Sequence, residues 1–582
     1  MKSLLKYLKN YKKESVFAPL FKMLEASFEL FVPLVVAKII DNGIAKGDNI
    51  YVLKMGGALL LLAIIGLTCS LTAQYFAAKA AAGFGTEVRH ALFKHIQTFS
   101  YDEIDRLGSS TLITRLTSDL NQVQSQVNMF LRLFLRSPFI VFGATIMAFT
   151  VDVKAALVFV VAIPILAVIV FGIMLATIPM YKKVQNGLDK ILSETRENLS
   201  GTRVIRAFNK EQNEIDSYNE SNDALNKFQI FVGKISAVMN PLTFVVVNFA
   251  MIGIIYVGGI RVDAGYLTQG MVVALINYMS QILIELIKLA NLIINLTKAF
   301  ACANRIEDVM KVESSMKFGN ETEGKNKEIE VEFKDVSLMY AGSSENTIEG
   351  LNLKVLKGQT IGVIGGTGSG KTSLINMIPR FYDATKGEVL VNGTNVKEYT
   401  EECLRNKIGI VPQKAVLFKG TIRSNLLWGN ESATENDLME ALKQAQSYDF
   451  VMQKENGIDS VVEQNGRNFS GGQRQRLTIA RALVRKPEIL ILDDSSSALD
   501  YTTDANLRKE IAKLKDMTVF IVSQRTASIM DADQIVVLDD GNVMGIGTHK
   551  DLLENCEVYK EIYESQFKKP EKGGNVRWKK KH

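Results

Sequence analysis

Six apolar stretches lie within residues 1–300 and none of comparable length follows, which limits the possible folds more than any other feature of the chain. They run at about 16–40, 55–78, 137–151, 154–178, 240–261 and 270–296. Crossing a bilayer core takes roughly 20 mainly apolar residues, so these read as membrane spans. The third is short alone, but Val151-Asp152-Val153-Lys154 reads as a tight turn joining it to the fourth. One such run can be a buried core helix; six in one half of a chain point to a membrane domain. The overall 47% of hydrophobic residues averages this half with residues 329–582, which mix charge, glycine and short apolar runs as a soluble domain does. At 582 residues the chain is too long for one compact domain.

Basic residues orient the spans. Arg89, Lys94, Arg106, Arg115, Arg132 and Arg136 fall in the connection 83–136, and nine more Lys and Arg fall in 181–239. The other connections are short and hold only Lys46, Lys54, Lys154 and Arg261. Both long connections and both termini are therefore expected in the cytoplasm, the connections as helical extensions of the spans. Lysines at 2, 6, 9, 12 and 13 precede the first run, but no small-residue cleavage site follows it, so it reads as a retained helix rather than a signal peptide. Cys69, Cys302, Cys403 and Cys556 have no paired spacing and read as reduced thiols. A net charge of +6 gives no nucleic-acid signature, and the basic tail 568–582 reads as solvated.

In the sixth run Asn277, Gln281, Glu285, Lys288, Asn291 and Asn295 recur at helical spacing and form one polar stripe. Polar groups are costly against lipid, so the stripe faces either a water-filled cavity or another helix, with Glu285 and Lys288 paired in the second case. Asn277, Gln281, Glu285 and Lys288 are the candidate cavity residues. Glu25 and Glu29 in the first run allow the same two readings.

Ser314 to Lys327 reads as a polar linker, and a strand from Glu328 to Phe333 opens the second domain. Thr360–Ile364 reads as a strand, followed by Gly365-Gly366-Thr367-Gly368-Ser369-Gly370-Lys371-Thr372 and a helix beginning at Ser373. This is a complete phosphate loop in strand–loop–helix context. Glycines let backbone N–H groups curl toward phosphates, the helix N-terminus adds its dipole, Lys371 reaches the outer phosphates and Thr372 can ligate magnesium. A second strand, Ile489–Leu492, delivers Asp493 as the magnesium carboxylate, with Asp494 after it, and a third, Thr518–Val522, ends at Ser523-Gln524-Arg525. Ser470-Gly471-Gly472-Gln473 opens another helix and makes a second anion site, too far downstream to belong to the same loop. Nucleotide held between two such domains is the implied arrangement.

The phosphate loop, the S-G-G-Q sequence and Leu492-Asp493, in this order, resemble ABC transporter ATPases, and six spans ahead of one such domain resemble bacterial ABC exporters of the multidrug type. The expected fold is an all-α six-helix transmembrane domain (1–312), a linker (313–328), an α/β P-loop ATPase domain (329–567) and the basic tail. The resemblance implies that Tyr340 stacks on adenine, that Gln413 touches magnesium and that Ser497-Ala498-Leu499-Asp500 communicates between sites. It also places Glu463 in a segment that reads the partner, and coupling regions at Gly108–Asp119 and Glu197–Phe208. It further implies ATP and Mg2+ as ligands and a dimer working by alternating access in the plasma membrane, with cytoplasmic ATPase domains, membrane lipid around it and a small amphipathic substrate.

Two positions depart from the family pattern. The residue after the magnesium aspartate, usually a glutamate acting as general base, is Asp494, and the switch histidine is Gln524. One methylene less withdraws the carboxylate by roughly 1.5 Å, and a misplacement near 1 Å costs on the order of 100-fold in rate. Glutamine donates a hydrogen bond but no positive charge. Both departures fall on the site built around this chain's own phosphate loop, whereas Ser470–Gln473, which serves the other chain's nucleotide, is intact. The pattern resembles the degenerate-site subunit of a heterodimeric exporter. The alternatives are a homodimeric lipid or peptide exporter and a nucleotide-regulated membrane ATPase or channel.

Overall fold

The computed structural model describes residues 3–326 and 328–567; the basic tail lies outside the described residues. The chain forms two units, one of Met1–Gln97 with Ser109–Val312 and one of Thr98–Gly108 with Glu313–His582.

The first unit is helical. Its long helices are α1 (Lys12–Lys38), α2 (Asn49–Ile96), α4 (Ser109–Val151), α5 (Val153–Ser200), α7 (Glu211–Asp263) and α8 (Gln269–Lys311), with the short α6 (Thr202–Ala207) between the fifth and seventh. Five of the six long helices are long and apolar enough to cross a membrane. The exception, α1, carries Lys22, Glu25 and Glu29, and these charges are paired: Lys22 Nζ lies 2.5 Å from Glu25, and Glu29 lies 2.6 Å from Arg136. A 48-residue helix such as α2 or α5 is about 72 Å long, more than twice a hydrocarbon core of roughly 30 Å, so the helices extend well beyond a bilayer. Small residues let them approach: Ala73, Ala77 and Ala80 of α2 are fully buried, and a Cβ on Gly270 would meet the Ala37 carbonyl at 2.3 Å. The turn between α4 and α5 is Asp152 alone. Its carboxylate accepts from the Ala155 N–H at 2.8 Å and from Arg261 at 2.5 Å, capping α5 and tying it to α7.

The second unit is built on a ten-stranded mixed sheet. Ile408–Val411, Ile489–Asp493, Thr518–Val522, Thr360–Gly365 and Gln534–Asp539 lie side by side in parallel. Asn542–Gly547 joins them to the antiparallel group Ile348–Leu356, Ile329–Leu338 and Lys386–Val391. The buried parallel strands are continuous apolar runs, as strands covered on both faces require. Two apolar cores result. One holds the helix Lys371–Met377 through Leu374 and Ile375; the other holds the helix Gly471–Val484 through Leu477, Ile479 and Leu483.

Three local expectations change. The segment after 313 is an ordered strap: Gly319 and Glu321 donate to the Tyr399 and Glu398 carbonyls at 3.0 and 2.9 Å, and the Arg380 guanidinium sits over the Phe318 ring. The short helix after α2 is α3 (Tyr101–Leu107), upstream of the region Gly108–Asp119 and grouped with the second unit, whereas Ser109–Asp119 opens α4. Its start is a capping box of Ser100 and Glu103 and its end is Gly108 at φ 77°, both recognisable sequence signals. Arg136, counted above as a charge of the cytoplasmic connection, is buried among α1, α4 and α8.

Candidate functional site

Parallel strands all end at the same edge of their sheet, where ligands of open α/β domains bind. Thr360–Gly365 runs into the phosphate loop, Ile489–Asp493 into Asp494, Thr518–Val522 into Ser523-Gln524, and Ile408–Val411 into Pro412-Gln413. The register sets these ends beside one another, with Val522 opposite both Asp493 and Val363, and Val411 opposite Leu492.

The loop depends on its glycines. Gly368 and Gly370 have φ of 87° and 94°, a region costly for other residues, and a Cβ on Gly370 would meet the Thr347 carbonyl at 2.5 Å. A Cβ on Gly366 or Gly368 would meet nothing within 4 Å. Lys371 curls into this ring, donating to the Gly365 and Gly366 carbonyls at 3.0 and 2.5 Å and to Ser369 Oγ at 3.4 Å. Thr372 Oγ1 donates to the Asp493 carboxylate, 3.1 Å from each oxygen.

Burial holds the Lys371 amine below the usual lysine range, against the opposing pull of Asp494 and Asp493. Burial, with the neighbouring charge of Asp494, holds the Asp493 carboxyl above its usual range, against Thr372 and Lys371. A buried amine disfavoured as a cation fits an anionic phosphate, and a buried acid disfavoured as an anion fits a divalent cation. The donor set of Thr372, Asp493 and Gln413 is all oxygen, as magnesium requires. These residues fit magnesium and a nucleoside polyphosphate held together.

Asp494 stands at φ 45°, a left-handed conformation that aspartate tolerates better than most residues. Its N–H donates to the Val522 carbonyl at 3.0 Å, and Gln413 Nε2 donates to its Oδ2 at 3.3 Å. The structure thus brings Asp493, Asp494, Gln413, Thr372 and Lys371 together. Gln524 follows the adjacent strand with its side chain exposed; its carbonyl accepts from Gln566 at 2.8 Å. Tyr340 donates or accepts at Ser373 Oγ over 2.8 Å, which sets its ring beside the helix that follows the loop.

The S-G-G-Q segment belongs to the other core. Ser470 caps the helix Gly471–Val484: the Gln473 N–H donates to Ser470 Oγ at 3.3 Å, and the Ser470 N–H donates to Gln473 Oε1 at 3.0 Å. A Cβ on Gly471 would meet nothing within 4 Å, leaving this helix start open. Asp500 caps Tyr501–Ile511 by accepting from the Thr503 N–H at 3.0 Å.

Sequence reasoning missed a set of aromatic contacts beside Tyr340. Tyr382 meets Tyr340 edge-on at 4.9 Å and donates its hydroxyl to Asp105 of α3 at 2.6 Å, while Tyr101 stacks on Phe381 at 4.5 Å.

The polar stripe of α8 divides. Asn277 and Asn291 are exposed, Gln281, Lys288 and Asn295 half-buried, and Glu285 is only 3% exposed. Glu285 accepts from Arg136 at 2.6 Å, Ser137 at 2.8 Å and Lys288 at 2.8 Å, so at this position the stripe is a helix–helix seam within the chain and no open wall.

Two family models match the chain: residues 16–286 match the ABC transporter transmembrane region, and residues 348–497 match the ABC transporter family. The chain belongs to the ABC transporter family. An ABC transporter ATP-binding protein of Mycobacterium tuberculosis is 35% identical to this transporter over 98% of both chains. The ABC transporter ATP-binding protein YfiB of Bacillus subtilis is 35% identical over 97% of this chain and 99% of its own. YgaD of the same organism, a putative multidrug export ATP-binding/permease protein, is 31% identical over 97% and 99%. A bacterial Atm1-family ABC exporter solved with ATP bound shares the fold, with a TM-score of 0.77 and 21% identity over 96% of this chain and 99% of that one. This transporter is therefore a multi-pass membrane protein with half-transporter exporter architecture and an ATP-hydrolysing domain.

Proposed function

We propose that this transporter is the degenerate-site half of a heterodimeric exporter that moves small amphipathic compounds out of the cytoplasm across the plasma membrane. The observation behind this reading is Asp494 beside Gln413 at the edge that holds Lys371, Thr372 and Asp493, with Gln524 after the adjacent strand, while Ser470 opens an intact helix start on the other core. Lys371 and the loop N–H groups would hold the outer phosphates, Thr372, Asp493 and Gln413 a magnesium ion, and Tyr340 the adenine. The ion would neutralise charge on the outer phosphates. Asp494 would align the attacking water from too far back, and Gln524 would offer a hydrogen bond where a cation stabilises better. Ser470–Gln473 would complete the working site of a homologous partner chain, with Asp500 communicating between the sites. Asn277, Gln281 and Lys288 of α8 would line the substrate path, and cytoplasmic ATPase domains would drive alternating access.

ATP-dependent uptake of an amphipathic dye into inverted vesicles tests the reading. Accumulation against a gradient, lost in the Ser470→Arg complex, is expected. Nucleotide-dependent equilibration without accumulation would make the protein a gated channel.

A further inference from the structure

Four charges of alternating sign form a chain across three helices of the first unit: Glu29 on α1, Arg136 on α4, and Glu285 and Lys288 on α8. Arg136 donates from Nη2 to Glu29 and from Nη1 to Glu285, each at 2.6 Å, and Lys288 closes on Glu285 at 2.8 Å. The middle members are buried, with Arg136 and Glu285 side chains 8% and 3% exposed, whereas the ends are open, Glu29 at 40% and Lys288 at 42%. The buried part is incomplete: Arg136 Nε and Gln281 Oε1, one turn before Glu285, are buried without a partner among the described residues. Arg136 lies about 24 Å along α4 from the Asp152 turn, and Glu285 about 24 Å along α8 from Gln269, so the cluster falls within the thickness of a bilayer core of roughly 30 Å.

The chain of charges is neutral overall and its open ends are of opposite sign. A ligand of single charge at either end would leave a net charge in a medium of low dielectric, which is costly; a ligand with both signs would not. Exposed apolar side chains lie near the cluster along each helix, Phe31 on α1, Phe142 on α4 and Ile284 on α8, and the exposed Asn291 follows Lys288 by one turn. We infer that this cluster is a binding point for a zwitterionic amphiphile, its cationic group at Glu29 and its anionic group at Lys288, with Gln281 Oε1 and Arg136 Nε available to its polar neck. The inference rests on the transport reading, for which it names the substrate class.

Equilibrium binding to the purified complex in lipid nanodiscs tests it, with four probes of matched chain length: a lysophosphatidylcholine, an alkyltrimethylammonium, an alkyl sulfate and a monoacylglycerol. The zwitterion is expected to bind tightest. Glu29→Gln should weaken the zwitterion and the cation, and Lys288→Gln the zwitterion and the sulfate, each by about tenfold, the loss of one charge-assisted contact. Discs of phosphatidylglycerol and of phosphatidylethanolamine separate the sources: competition by the second marks a bilayer lipid, and equal binding in both marks a solute. Equal weakening of all four probes, the neutral one included, would reduce the cluster to a packing seam. Dissociation of the complex by either single substitution, with probe binding unchanged, would assign the open ends to the partner subunit. Absence of zwitterion binding by the wild-type complex would overturn the substrate class and leave ATP-driven transport, read from vesicle uptake, standing.

Discussion

Lys371 illustrates how one side chain joins fold and chemistry. Its amine is buried inside a ring of carbonyls and held below its ordinary pKa by that burial, a state that phosphate oxygens would relieve. Lys371→Ala is expected to weaken ATP binding at this chain's own site by tenfold or more, the scale of one lost charge-assisted contact. Photolabelling with azido-ATP, resolved between the two chains of the complex, measures it; undiminished labelling of this chain would contradict the assignment. The phosphate loop was readable because its glycines, lysine and threonine are contiguous. The partner of Asp494 was readable only by family resemblance, since Gln413 comes from a strand end about 80 residues away. Arg136 was misread for a related reason. Counting charges by connection places it in a loop, and its partners Glu29 and Glu285 stand more than 100 residues away on either side.

At the scale of elements, the strand Ile329–Leu338 buries a carboxylate that the site does not use. Glu330 is 2% exposed, and burial, reinforced by the charge of Glu488 and opposed by Lys357 and Lys407, raises its pKa to about 7. The fold therefore favours the protonated acid. Its contribution to stability is full below the unfolded carboxylate range near pH 4.5, falls as pH rises, and is lost above about 7. Glu330→Gln removes the titration, so the variant's thermal midpoint should gain on the wild type between pH 5 and pH 8. A constant difference across that range would show that Glu330 does not titrate there. Long helices and parallel strands were legible because apolar runs of these lengths admit few other folds. The strap after residue 313 was not, because its polar composition resembles a linker and the contacts that order it reach residues 380, 398 and 399, far along the chain. Likewise α3 was not read from the sequence, although Ser100-x-x-Glu103 and Gly108 mark its ends just upstream of the expected coupling region Gly108–Asp119.

For the molecule as a whole, the reading turns on an asymmetry between the two anion-binding helix starts of the ATPase unit. Asp494 lies beside Gln413 at the phosphate-loop edge and Gln524 follows the adjacent strand, while Ser470 and Gln473 form an ordinary capping box on a helix packed in the other core. An enzyme with two equivalent sites has no reason to weaken the base and the switch together while keeping the signature. A heterodimer with one working site does, since the altered site can hold nucleotide through the cycle. Steady-state ATPase activity of two variant complexes at saturating ATP tests this most directly. Asp494→Asn should reduce turnover by less than about twofold, because little hydrolysis passes through that site, whereas Ser470→Arg should lower it on the order of 100-fold by setting bulk and charge against the outer phosphate of the partner's nucleotide. Loss of activity in Asp494→Asn as complete as in Ser470→Arg would make Asp494 a working base and the transporter a slow homodimer.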